Sequence, residues 1–79
     1  MDNKEKYKKT FIEFLAIEEK DFNEDLKYNE IDAWDSIGHM TLMSGLEKNF
    51  VITMETDDIV EFSSFKKGME ILKKYNINF

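Results

Sequence analysis

The residues of this chain that could do chemistry gather in one short stretch, Trp34-Asp35-Ser36-Ile37-Gly38-His39-Met40. Ser36 offers a hydroxyl, Asp35 a carboxylate directly before it, and His39 the only imidazole. A serine and a histidine three residues apart could act as a nucleophile and its base. The surroundings argue against that: no Gly-x-Ser-x-Gly elbow frames the serine, and no third group is identifiable to orient the ring. A single histidine does not make a metal site, and with no cysteine there is neither a thiolate site nor a disulfide framework. What the stretch does suit is an attached anion. If Ser36 opens a helix, the unpaired amide hydrogens of the first turn favour a phosphate on its hydroxyl. Asp35 is then the N-cap, its carboxylate accepting amide hydrogens of that turn. The plainer reading, in which both residues simply start a helix, uses the same geometry.

The elements around the stretch follow from hydrophobic spacing. Tyr7, Phe11, Phe14 and Leu15 recur at helical intervals, which predicts a first helix over about residues 3–17 with Asp2 or Asn3 as its cap. Residues 18–35 keep no period but place Phe22, Leu26, Tyr28, Ile31 and Trp34 at intervals, as a long connection pinned to the core would. A second helix fits Ser36 to about Phe50, with Met40, Leu42, Met43, Leu46 and Phe50 on one broad arc. Ile37 projects away from that arc and is expected to be exposed. His39, one turn into the helix, is expected to pack against Trp34 in a staple-like contact. A short helix over about 56–62 buries Ile59 and Phe62 beneath an acidic face of Asp57, Asp58 and Glu61. Ser63 or Ser64 caps a last helix striped by Phe65, Met69 and Leu72, where Gly68 permits close approach of a neighbour. The fold class expected is therefore all-α: three longer helices, one short third helix and a long first connection.

Composition excludes several classes. The chain has 79 residues, 42% of them apolar and 35% charged, with a net charge of −6. That length and apolar content support one small folded core and one domain, residues 1–79. An acidic chain is a poor match for phosphate backbones, so nucleic-acid binding is disfavoured. The longest apolar run, Phe14-Leu15-Ala16-Ile17, is too short for membrane insertion or a signal-peptide core. A soluble, cytoplasmic, monomeric domain is expected, and Met1 together with the apolar end at Ile77 and Phe79 reads as a complete chain. The acidity is local. Residues 18–35 hold eight acids against Lys20 and Lys27, a second acidic patch spans 55–62, and both flank a neutral second helix. Such runs read equally as solvated loop or as partner-docking surface.

Asp35-Ser36 followed by an apolar residue resembles the prosthetic-group site of acyl carrier proteins. The likeness runs without a gap from Asp35 to about Leu72: Leu42, Met43, Leu46 and Phe50 match the apolar positions of the family's second helix. Met54 matches the apolar residue before its short third helix, and Ser63-Ser64-Phe65 the start of its fourth. The first helix and long first loop agree in length and apolar placement, so the resemblance covers essentially the whole chain. It implies a four-helix bundle of the acyl carrier type, with 4′-phosphopantetheine attached to Ser36 by a phosphopantetheinyl transferase, from coenzyme A and with Mg²⁺ at the transferase's site. Asp35 would be the motif acid. The arm's thiol would hold acyl groups as thioesters for acyl-activating, acyltransferase or ketosynthase partners, in lipid, polyketide or related biosynthesis, and the chain itself would catalyse nothing. Ile37, Glu47, Asp57 and Asp58 are the expected partner contacts. Should cargo be sequestered, Met40, Met43, Met54, Met69 and Leu46 are expected to line the space.

The chain departs from the family's pattern in two places. The family often has a second acid two residues after the serine, where this chain has Gly38, and its second helix is strongly acidic, whereas Ser36–Phe50 has only Glu47 beside Lys48. These departures point to a specialised carrier with a dedicated partner enzyme. An aminoacyl or peptidyl carrier of the same fold, and a helical interaction module with no prosthetic group, are the alternative readings.

Overall fold

The computed structural model describes residues 2–79; Met1, where the sequence reading begins the chain, lies outside the described residues. Four helices follow in order: α1 Asn3–Phe14, α2 Ser36–Phe50, α3 Thr56–Glu61 and α4 Phe65–Lys73, with a single 3₁₀ turn at Glu19–Asp21 in the long first connection. Among the described residues there is no strand, only an isolated bridge between Lys27 and Ser64, and no helix long and apolar enough to cross a membrane. The all-helical class and the long first loop are as expected from spacing.

Caps explain most of the boundaries. The Asp2 side chain accepts the Glu5 amide at 2.8 Å and opens α1. Ser64 accepts the Lys67 amide at 2.9 Å and opens α4. The far end of α1 corrects the sequence reading, which carried the helix to residue 17. Ala16 turns left-handed at φ 55°, and the amides of Ala16 and Ile17 bond back to the carbonyls of Glu13 and Ile12. This is a helix-ending reversal usually made by glycine. An alanine there leaves no signal in the sequence. α2 closes the same way at Val51, φ 53°, with the Ile52 amide on the Glu47 carbonyl at 3.0 Å.

The core is aromatic. Phe11 meets Tyr7, Trp34 and Phe65 with ring centroids 5.0–5.2 Å apart, all edge-on. Leu42, Met43 and Leu46 of α2 join this group, as do Phe62 before α4 and Leu72 within it. Burying each such side chain contributes about 1.5–3 kcal/mol. Inside the cluster the Tyr7 hydroxyl donates to the Phe65 carbonyl at 2.7 Å, and burial raises its pKa well above the ordinary tyrosine value. A Cβ on Gly68 would overlap the Phe62 ring and the Tyr7 hydroxyl, so α4 approaches α1 through that glycine as expected.

Leu26 and Trp34 pin the first connection into this core. Backbone bonds from the Tyr28 amide to the Ser63 carbonyl and from the Phe65 amide to the Leu26 carbonyl, each 2.9 Å, seam it to the α3–α4 junction. Part of its acidity is spent on lysines of the helices: Glu24 pairs with Lys4, Glu19 with Lys8 and Asp25 with Lys66. Exposed pairs of this kind contribute about 0–1 kcal/mol each.

Candidate functional site

α2 begins at Ser36 because Asp35 stops the extended chain and caps it. Asp35 Oδ1 accepts the Gly38 amide at 2.8 Å, and its carbonyl accepts the His39 amide at 2.8 Å. The amides of Ser36 and Ile37, ahead of these, have no intrahelical acceptor. Ser36 and Asp35 are exposed, and Ile37 is 79% exposed, as expected. Gly38 has a steric reason. A Cβ there would overlap the carbonyl oxygen of Ala33, so the first connection passes too close to α2 for any side chain at that position.

His39 is fixed on both ring nitrogens. The Trp34 indole N–H donates to Nδ1 at 2.9 Å. An indole can only donate, so Nδ1 is the acceptor and Nε2 holds the proton. That N–H donates to the Ile59 carbonyl at 2.8 Å. The Trp34 and His39 rings lie nearly parallel, at 16°, while Tyr28 and Phe62 meet the imidazole edge-on. The expected packing of His39 on Trp34 is present, and it carries a hydrogen bond that spacing alone did not reveal. With both nitrogens engaged, His39 has none left to receive the Ser36 proton. It works as a clamp joining the first connection, α2 and α3.

Beside Ser36 the surface opens into a cleft of about 350 Å³ between α2 and α3. His39, Met40, Ile59, Val60 and Phe62 line most of it, with Ser36 on its rim and Tyr28 and Ser63 towards the first connection. Two sequence expectations are corrected here. Met40 is 54% exposed: it lies at the edge of the apolar arc, one turn from Ile37, and faces the cleft. Met43, Leu46 and Met54 are buried in the core and do not line the cleft, nor does half-buried Met69.

The acidic residues separate into two groups. Asp57 and Glu61 are exposed on α3, as expected. Asp58 is not: it is only 2% exposed, its carboxylate accepting from Lys74 Nζ at 2.6 Å and from the Tyr75 hydroxyl at 2.5 Å. The Lys74 hydrogen bond, then the Tyr75 one, hold its pKa below the usual aspartate value. The expected exposed acidic face therefore shrinks, because Asp58 turns inward to tie α3 to the end of α4. Glu47, also expected at a partner surface, is half-buried and accepts the Met54 amide at 2.8 Å. Its carboxylate holds the α2–α3 connection.

Sequence reasoning passed over Val60, Tyr28 and Ser63 as cleft residues. Val60 is 75% exposed and lines the cleft with Met40. An apolar residue between Asp58 and Glu61 on a six-residue helix has too little periodic context to reveal which way it faces. No protein-family model, curated protein or solved structure matches the chain.

Proposed function

We propose that this chain is a carrier protein bearing 4′-phosphopantetheine on the Ser36 hydroxyl and presenting thioester-linked acyl groups to partner enzymes. One observation carries the reading: an exposed serine at the first turn of a capped helix, on the rim of an apolar cleft. The Ser36 and Ile37 amides favour an anion at that turn, and Asp35 is already engaged with Gly38, so its charge is partly balanced by the helix start. The prosthetic group would supply a flexible arm and a thiol able to form thioesters. The protein would supply the attachment point, an apolar resting place and a docking surface around Ile37 and Met40. In the attachment step Ser36 Oγ forms the bond to phosphorus, 3′,5′-ADP of coenzyme A leaves, and the hydroxyl proton passes to the transferase or solvent.

The test is intact-protein mass after incubation with coenzyme A, Mg²⁺ and a broad-specificity phosphopantetheinyl transferase. Gain of one phosphopantetheine, lost in Ser36→Ala, supports the carrier reading. No gain by folded protein beside a working control carrier rejects it. Loading by acyl-activating enzymes but not amino-acid-activating ones then separates an acyl carrier from an aminoacyl or peptidyl carrier.

A further inference from the structure

The cleft beside Ser36 is closed at its inner end by the His39 clamp. The imidazole bridges Trp34 and the Ile59 carbonyl, and Phe62, 1% exposed, packs edge-on against it. Behind this floor Leu42, Met43 and Leu46 are fully packed, with 0–1% exposure. A chain entering the cleft meets a ring held by two hydrogen bonds before it meets the core. Passing further would separate α2 from α3 and leave the indole N–H and the Ile59 carbonyl without partners in an apolar interior, which is unfavourable.

We propose that His39 sets the depth of the cleft and so confines this protein's cargo to the surface groove between α2 and α3. The inference rests on the carrier reading and narrows it: short and medium aliphatic groups are shielded, and longer ones protrude into solvent. Taking the liquid-volume share of a water, about 30 Å³, as a stand-in for each chain group, the 350 Å³ cleft holds on the order of ten groups, the thioester included, so shielding stops near about ten carbons. Below that length each added methylene raises the ratio of docked to undocked cargo by about fourfold. Above it the ratio stays constant. His39 acts here as a positioning residue, through the Ile59 carbonyl, and touches no reacting atom.

The experiment uses the whole chain charged on Ser36 by a promiscuous transferase from straight-chain acyl coenzyme A esters of four to sixteen carbons. Cleavage of the thioester by hydroxylamine is followed by intact mass. In the wild type, cleavage slows with length and levels off near about ten carbons. His39→Ala, checked for folding by circular dichroism, opens the floor and extends the slowing to sixteen carbons. His39→Gln retains an N–H for Ile59 and keeps the wild-type limit. Val60→Trp, at an exposed position on the cleft wall, moves the limit to shorter chains without disturbing the core. Slowing that continues to sixteen carbons in the wild type overturns the inference. So does a limit unchanged by His39→Ala in folded protein, or a loaded protein whose cleavage ignores chain length. Failure to charge Ser36 at all rejects the carrier reading itself, and is read separately from every outcome on charged protein.

Discussion

Replacing Asp58 by alanine removes the only carboxylate buried among the described residues, and its cost can be worked from the partners it leaves. The Tyr75 hydroxyl bond to a shielded carboxylate contributes about 1.5–3 kcal/mol. The Lys74 side chain is 61% exposed, so solvent screens that pair to about 0.5–1 kcal/mol. Asp58→Ala should therefore destabilise the domain by about 2–4 kcal/mol. A chain of this length has roughly 4–12 kcal/mol in total, and the corresponding fall in Tm is roughly 10–25 °C. Urea denaturation at neutral pH measures the loss, with Tyr75→Phe and Lys74→Met apportioning it; Tyr75→Phe should cost more. The pH dependence has a definite sign. Asp58 has a lowered folded-state pKa, chiefly from the Lys74 hydrogen bond and then from Tyr75. Its contribution is present above the ordinary aspartate value near pH 4 and is lost as pH falls through the lowered value. Asp58→Ala should accordingly flatten the acid limb of the stability curve. A loss below about 0.5 kcal/mol, the range of an ordinary surface change, would refute the reasoning, as would an acid limb identical to that of the wild type.

Three further outcomes are expected. Gly38→Ala forces a Cβ onto the Ala33 carbonyl and should cost about 1–3 kcal/mol by thermal denaturation; a neutral result would mean that the first connection yields freely. Val51→Gly relieves a left-handed, β-branched residue that is 88% exposed. It should stabilise by about 0.5–1 kcal/mol, the conformational relief exceeding the entropy glycine adds to the unfolded chain. Ile37→Asp should leave Tm within a few degrees, because the side chain is 79% exposed. The same change should slow phosphopantetheine transfer severalfold if Ile37 meets the transferase, and an unchanged rate would remove it from the docking surface.

The site was legible where its signals are local. Asp35 and Ser36 mark the start of α2 because a cap acts within three residues, and the observed helix runs from Ser36 to Phe50 as spacing implied. Ser63 or Ser64 marks α4 for the same reason, and the structure makes Ser64 the cap. Ile37 could be placed outside because one turn of apolar neighbours defines the opposite face. Met40 was misjudged because it lies at the arc's edge, where periodicity does not decide between core and cleft. The end of α1 was misjudged because Ala16 adopts a conformation that residue type predicts only for glycine or asparagine.

By itself, then, the sequence determined four helical segments, the caps of α1, α2 and α4 to within a residue, and a serine at the start of α2. Those follow from hydrophobic spacing and from hydrogen bonds closed within a turn. Only the tertiary structure decided what surrounds that serine. The His39 clamp reaches a carbonyl 20 residues away, and the Asp58 tie reaches partners 16 and 17 residues away. Residue type states that an imidazole or a carboxylate needs partners when buried. Which partners, and which face of α3 therefore turns inward, depends on how the helices pack, and packing joins groups that no local period relates.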